Sequence, residues 1–273
     1  MENYNWNEFY EHYDNLVSNW LSSETREQII CSDCYFQAEK GKKRSDNVKL
    51  SNEELEIPEP YLGDPANCSA VIINLNPGMS RKSEARNAFY KQFANDLRAK
   101  KYSEIARTFP HLEPEAIGYK FWNQKNRWIQ RLCQLNNETA ELKPFAVELC
   151  PYHSKNWNGD FITKEVRDFI NQWVLKPALA AIKQSLLPFA LAIGKPCFTE
   201  LKTNFGFEEV KILDPEANIY GWPSNAKGMN ANRYFAILEK DGLKVLCTWC
   251  KGGTNSAPAE SFIEIEKTLL KSI

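Results

Sequence analysis

Four short stretches of this 273-residue chain gather polar side chains, lysines and glycines: LNPGMS (75–80), CPYHSKNW (150–157), GKPC (194–197) and KGGTNSAP (251–258). The first follows a β-branched run and ends it abruptly in Asn76-Pro77-Gly78. An amide at that point suits a ligand at the mouth of a sheet; it also suits a plain strand-end turn. Pro77 and Gly78 would let backbone come close to a ligand, or simply make the turn. Lys155, Lys195 and Lys251 each lie just past a strand end. Together they could form a local cationic rim, or be ordinary solvated lysines. Eight cysteines include two C-x-x-C pairs, Cys31/Cys34 and Cys247/Cys250. Four thiolates at that spacing could hold zinc or an iron–sulfur cluster. Cys247-Thr-Trp-Cys250, however, sits inside an apparent buried strand, where positions i and i+3 point to opposite faces. Small buried hydrophobes are the plainer reading, and no metal or other cofactor is expected.

The elements that must position these stretches are legible as hydrophobic patterns. Continuous apolar runs at 68–78, 143–153 and 187–194, each closed by turn residues, predict strands buried on both faces, as in parallel sheets. Residues 233–249 alternate around Asp241-Gly242, a hairpin signal whose second arm would be a fourth core strand. Helical spacing predicts helices over 1–30, 81–107, 119–135 and 163–186, the last kinked or split at Pro177. Another helix is opened by Pro196 and closed near Gly206, and a final one covers 260–270. Residues 38–66 are polar and turn-rich and carry the basic run KGKKR (40–44), a solvated surface or a phosphate contact. Strands alternating with helices imply a parallel sheet with helices on both faces. In such sheets ligands bind beyond the carboxyl ends of the strands, where the four polar stretches fall. Residues 1–60 are expected to form a helical extension and loop packed on a core domain spanning 61–273.

Composition narrows the function. Lys and Arg total 34 against 35 Asp and Glu, a net charge of -1, which argues against constitutive, non-specific nucleic-acid binding but leaves room for a local basic groove. Eight Trp, 11 Tyr and 15 Phe supply flat side chains that fill cores and stack on bases. No apolar run is long enough to span a membrane. The acidic, aromatic N-terminus does not read as a signal peptide, so a cytoplasmic location, with no membrane partner, is the default. A monomer is expected.

NLNPG (74–78), FALAIGKPCFTEL (189–201) and VLCTWCKGGTNSAP (245–258), in that order and spacing, resemble the uracil-DNA glycosylase superfamily, nearest its mismatch-specific branch with an Asn-Pro-Gly first motif. The resemblance covers residues 60–270. It implies a three-layer α/β/α fold around a four-stranded parallel sheet. It also implies an enzyme, of DNA repair or of defence against foreign DNA, that flips a base from the duplex and hydrolyses its bond to deoxyribose. Asn76 then matches the water-positioning Asn of that branch, a poor base that predicts modest activity. With Asn76, His153 would be the catalytic residue, donating to a base oxygen or a phosphate; a structural histidine is the other reading. Base contacts would come from Gly78, Met79, Glu148 and Tyr152, with Tyr152 stacking on the base.

Glu148 lies near where related enzymes carry an Asn that reads uracil. Ionised, it only accepts hydrogen bonds, which suits a donor-rich edge such as guanine N1 and N2 better than uracil; a buried paired carboxylate is equally open. Gly252 and Gly253 amides could cradle an anion, with Thr254, Asn255 and Ser256 contacting phosphate. This second motif lacks the histidine that many relatives carry there. A nucleotide- or nucleic-acid-binding protein that kept the fold and lost hydrolysis is therefore the alternative.

Overall fold

The computed structural model describes residues 4–22, 54–75, 77–78, 84–136, 138, 142–153, 164–213, 233–250, 256–271 and 273. Among these, seven strands form one mixed sheet. The strands are β1 Tyr61–Leu62, β2 Ala70–Asn74, β3 Pro144–Glu148, β4 Ala190–Ile193, β5 Glu208–Leu213, β6 Arg233–Lys240 and β7 Leu243–Cys250. Their order is β1-β3-β2-β4-β7-β6-β5. The four strands expected from sequence are four successive members, β3-β2-β4-β7. Every residue of β2, β3 and β4 is buried, which is why their sequences are continuous apolar runs rather than alternating ones. β2 pairs with β4, and β4 with β7, in parallel. The sheet is nevertheless wider than four strands and not all parallel. β1 lies antiparallel on β3, and β5 and β6 extend the other side antiparallel. The helices are α1 Trp6–Ser22, α2 Glu84–Ala99, α3 Tyr102–Ala106, α4 Tyr119–Leu135, α5 Lys164–Ile170, α6 Lys176–Ile182, α7 Lys195–Thr203 and α8 Ile263–Leu270.

The chain divides into two compact units, each assembled from separate stretches. The first holds Met1–Pro65, Leu75–Tyr119 and Ala146–Pro177. Here α1 buries Phe9, Tyr13, Leu16, Val17 and Trp20, the face its spacing predicts. Each such side chain contributes about 1.5–3 kcal/mol on burial. Phe9 packs on Tyr61, with ring centroids 4.8 Å apart, and Tyr102 donates from its hydroxyl to the Tyr61 carbonyl at 2.5 Å. Asp14 of α1 caps the short helix α3, accepting from the Ser103 N–H at 2.7 Å and its hydroxyl at 2.9 Å. Between α5 and α6 the chain widens into a π-turn, Asn171–Leu175, immediately before Pro177. Pro177 has no N–H to offer the carbonyl of Trp173, four residues back. The Tyr13 hydroxyl donates to that carbonyl at 3.1 Å instead. The expected break at Pro177 is thus a widened turn.

The second unit holds Ala66–Asn74, Lys120–Phe145 and Ala178–Ile273. Its hairpin β6–β7 turns at Asp241 (φ 50°) and Gly242 (φ 79°), the two left-handed residues of a type I′ turn. No atom lies within 4 Å of where a Gly242 Cβ would stand. Gly242→Ala is therefore expected to cost backbone strain alone, about 1–2 kcal/mol, measured as a lower denaturation midpoint with unchanged m-value. Strand β5 was not expected from sequence. Glu208, Glu209, Val210 and Ile212 are all exposed, and the register slips between Glu209 and Lys211. A bulged, charged edge strand has no buried face to print an alternation. In α4, Trp122, Trp128, Ile129 and Leu132 are buried as their spacing predicts, but Phe121 is exposed and Lys125 is buried in its stead. None of the described helices is long and apolar enough to cross a membrane.

Candidate functional site

In the second unit the parallel strands β2, β4 and β7 present their carboxyl ends at one end of the sheet, with Ile73 level with Ala192 and Ala192 level with Cys247. Asn74 closes β2. Its side-chain oxygen accepts from Lys125 Nζ at 2.7 Å, and that ammonium lies 4.0 Å from the Phe121 ring centroid and 4.4 Å from that of Trp122. Beyond β4, Gly194 adopts φ 111° and donates its N–H to the Thr248 carbonyl at 2.8 Å. That link starts α7 with Lys195 exposed at its first position.

Beyond β7, the end of the glycine-rich loop is tied down by two arginines. Arg233 is fully buried. Its Nη1 donates to Thr248 Oγ1 and the Ser256 carbonyl, both at 3.1 Å, and its Nη2 to Ser256 Oγ at 3.1 Å. Arg131 grips Glu266 through Nε and Nη2, each at 2.7 Å, and also donates to the Pro258 carbonyl at 3.0 Å. Ser256, expected at a phosphate, here accepts from Arg233 and anchors the loop. Arg233→Met is expected to cost about 3 kcal/mol, because it leaves buried acceptors without a charged donor. Hydrogen exchange at the Ser256 and Ala257 amides should accelerate in parallel.

In the first unit the two stretches that follow β2 and β3 lie together. Cys150 N–H donates to the Leu75 carbonyl at 2.8 Å, Glu59 N–H to Pro151 at 2.9 Å and Glu148 N–H to Pro60 at 2.9 Å. Gly78 is exposed, with open space where a Cβ would stand. Tyr152 has no exposed surface and packs on Trp20 at 5.7 Å between centroids. His153 is also buried. Its Nδ1 lies 3.3 Å from the Gly78 carbonyl and its Nε2 2.9 Å from the Ile57 carbonyl. Carbonyls only accept, so each of these contacts calls for a proton on the ring nitrogen that faces it. Two carboxylates face the ring: Glu59 Oε1 lies 3.2 Å from Nε2 and Glu56 Oε2 lies 3.2 Å from Nδ1. The Glu56 contact is off the line of a hydrogen bond and acts as a charge alone.

Glu59 is the hub of this network. Its Oε1 accepts from the Tyr90 hydroxyl at 2.8 Å and its Oε2 faces His111 Nε2 at 2.8 Å. His111 Nδ1 donates to the Ile117 carbonyl at 2.6 Å. Arg86 pairs with Glu56, and Glu56, Glu59, Arg86, Tyr90, His111 and His153 are all buried. Burial alone would lower both histidine pKa values, yet both end above the ordinary 6.5 because Glu59 faces each ring; Glu56 and the Gly78 carbonyl add to the effect at His153. Burial would raise Glu59, but the charges and hydrogen bonds of His111 and His153 carry it well below the usual carboxylate range. By contrast, burial alone pulls His12, stacked on Trp173 at 4.0 Å, down to about 4. The network leaves no gap for a cation, since ring nitrogens meet carboxylates directly. Among the described residues no group of His, Cys, Asp and Glu could hold a metal ion. Cys247 and Cys250 are buried free thiols, and burial pushes the Cys247 thiol well up.

Of the residues singled out from sequence, Gly78, Glu148, Tyr152, His153, Lys195 and Ser256 are described. Asn76, Met79, Lys155, Lys251, Gly252, Gly253, Thr254 and Asn255 lie outside the described residues, as do Cys31, Cys34 and the 40–44 run. Both ring nitrogens of His153 are engaged with protein, so donating to a substrate would require giving one up. Tyr152 would have to leave its packing to stack on a base. Glu148, the last residue of β3, is buried, and its charge adds to the burial that raises the Cys150 thiol. Sequence reasoning missed Glu56, Glu59, Arg86 and His111, and also Lys125 and Arg233. A groove of about 1030 Å³ between α1 and α2–α3 is lined by Tyr10, Asp14, Lys101 and Arg107, and by none of the expected site residues. Two of its charged side chains are paired, Asp14 with Ser103 and Arg107 with Asp64. No protein-family model, curated protein or solved structure matches the chain.

Proposed function

We propose that the chain is a DNA glycosylase of the uracil-DNA glycosylase type, hydrolysing the bond between deoxyribose and a flipped, modified or mismatched base. The observation that carries this reading is the turn after β2. It follows the carboxyl end of a parallel strand, as ligand sites in such sheets do. Its Gly78 carbonyl faces Nδ1 of His153, and open space lies beside Gly78 for a close backbone approach. In this reading Asn76 holds the attacking water. Positive charge grows on the sugar and negative charge on the departing base, so the protein's work is electrostatic. The charged network holds the Gly78 carbonyl, and Arg233 holds Ser256, where the described residues resume after β7. Lys195, with Lys155 and Lys251, meets phosphates. Glu148 favours a base with a donor-rich edge over uracil. Efficient uracil release from a plain duplex, lost in Glu148→Gln, would argue against that preference.

One observation favours a binder without turnover on the same fold. His153 is engaged on both nitrogens, and the second motif offers no histidine to help the base leave. A panel of oligonucleotides with different bases at one position separates the two. Alkali-labile breaks made by wild-type protein at one base support the glycosylase. Retention of the same oligonucleotides without breaks supports the binder.

A further inference from the structure

We propose that Glu59 is the positioning residue of Gly78, holding His153 as the doubly protonated ring whose Nδ1–H grips the Gly78 carbonyl. Gly78 and Ile57 present carbonyl oxygens to the two nitrogens of one ring, at 3.3 Å and 2.9 Å. A neutral imidazole has one N–H. Keeping the shorter bond to Ile57 would leave the Nδ1 lone pair facing the Gly78 oxygen, and the turn would lose its tie. Only the cation serves both.

A buried cation needs a counter-charge, and the surroundings supply two of unequal quality. Glu56 is already paired with Arg86 of α2 and meets the ring off-line. Glu59 lies 3.2 Å from Nε2 and is held in place from two other sides, by the Tyr90 hydroxyl of α2 and by His111. His111, itself charged, repels His153 slightly but fixes the carboxylate where His153 needs it. The ring of Tyr90 meets His153 edge-on at 6.0 Å, closing the remaining side with an apolar surface. No substrate contact is assigned to Glu59; it acts through His153 on the backbone of the turn.

The protonation claim stands on its own. Its consequence for turnover rests on the glycosylase reading. The chain has three histidines, so full-length protein labelled with ¹⁵N at histidine gives an uncrowded spectrum. At about pH 7, His111 and His153 are expected to show the imidazolium pattern and His12 the neutral one. In Glu59→Gln, His153 is expected to titrate at lower pH, and Glu59→Asp, which keeps the charge, should restore much of the shift. On an oligonucleotide that wild type cleaves, Glu59→Gln should lose roughly 10- to 100-fold in kcat with KM much less affected. The alkaline limb of its pH profile should move down with the His153 titration. A neutral His153 in wild-type protein at pH 7 overturns the proposal, and that measurement needs no variant to fold. So does a His153 titration that Glu59→Gln leaves unmoved. If the titration shifts as expected while no oligonucleotide loses a base, the positioning role stands and the glycosylase reading fails.

Discussion

On the proposed glycosylase reading, Asn76→Ala is expected to reduce base release by about 100-fold or more while leaving the folded protein intact. The loss is large because an amide in this role supplies geometry rather than basicity. In that reading it holds one water in line with the anomeric carbon, and a methyl group would hold none. The loss is not total, because stabilisation of the sugar cation and the departing base does not depend on this side chain. The effect belongs in kcat, since the water is in place only once the base is flipped. Oligonucleotide affinity should change little. Leu75 and Pro77 are only half-buried, so the unfolding free energy should change by less than about 1 kcal/mol. Single-turnover rates of base release, with denaturation curves of the same samples, check both halves. A variant that releases base at the wild-type rate would remove Asn76 from the chemistry.

Glu59→Leu is expected to destabilise the protein by about 3–5 kcal/mol at mildly acidic pH, the cost of breaking a buried ion pair from one side. Its pH dependence follows from the direction of each shift. His111 and His153 have folded pKa values above 6.5, so their contribution is complete below 6.5 and is lost as pH rises through the folded values. Glu59 has a folded pKa below 4.5, so its contribution is complete above 4.5 and is lost as pH falls through the folded value. The network therefore contributes most between about pH 4.5 and pH 6.5. The gap in unfolding free energy between wild type and Glu59→Leu should be widest there and narrow on both sides. Denaturant titrations across the pH range measure it. A gap that does not vary with pH would mean that the cluster is not charged as described.

The parts of this fold that were legible in the sequence are those whose burial is written as pattern. β2, β3 and β4 are wholly buried and read as unbroken apolar runs; Asp241-Gly242 marks its hairpin because few other pairs accept two left-handed residues. β1 has two residues and no period to show. β5 carries its charges and its Val210 and Ile212 to solvent, so a strand pattern never appears. The site divides on the same line. Asn76-Pro77-Gly78 and His153 stand out because polar or rigid residues interrupt apolar runs. Glu56, Glu59 and Arg86 do not, because a charged residue in a polar stretch reads as surface. Only their partners across the chain, His153 and His111, reveal that they are buried. Lys125 illustrates the converse: its helical phase places it beside Trp122 and Trp128, and only the convention that lysines face water hid it. Arg233, at the start of an apolar hairpin arm, is the same kind of exception.

The most direct measurement is mass spectrometry of the oligonucleotide panel after incubation with wild-type protein in ¹⁸O-labelled water. A free base, together with an abasic strand carrying one labelled oxygen on its sugar, is the expected result for water attack at the anomeric carbon. Intact strands recovered bound to the protein, with no base set free from any member of the panel, would contradict it.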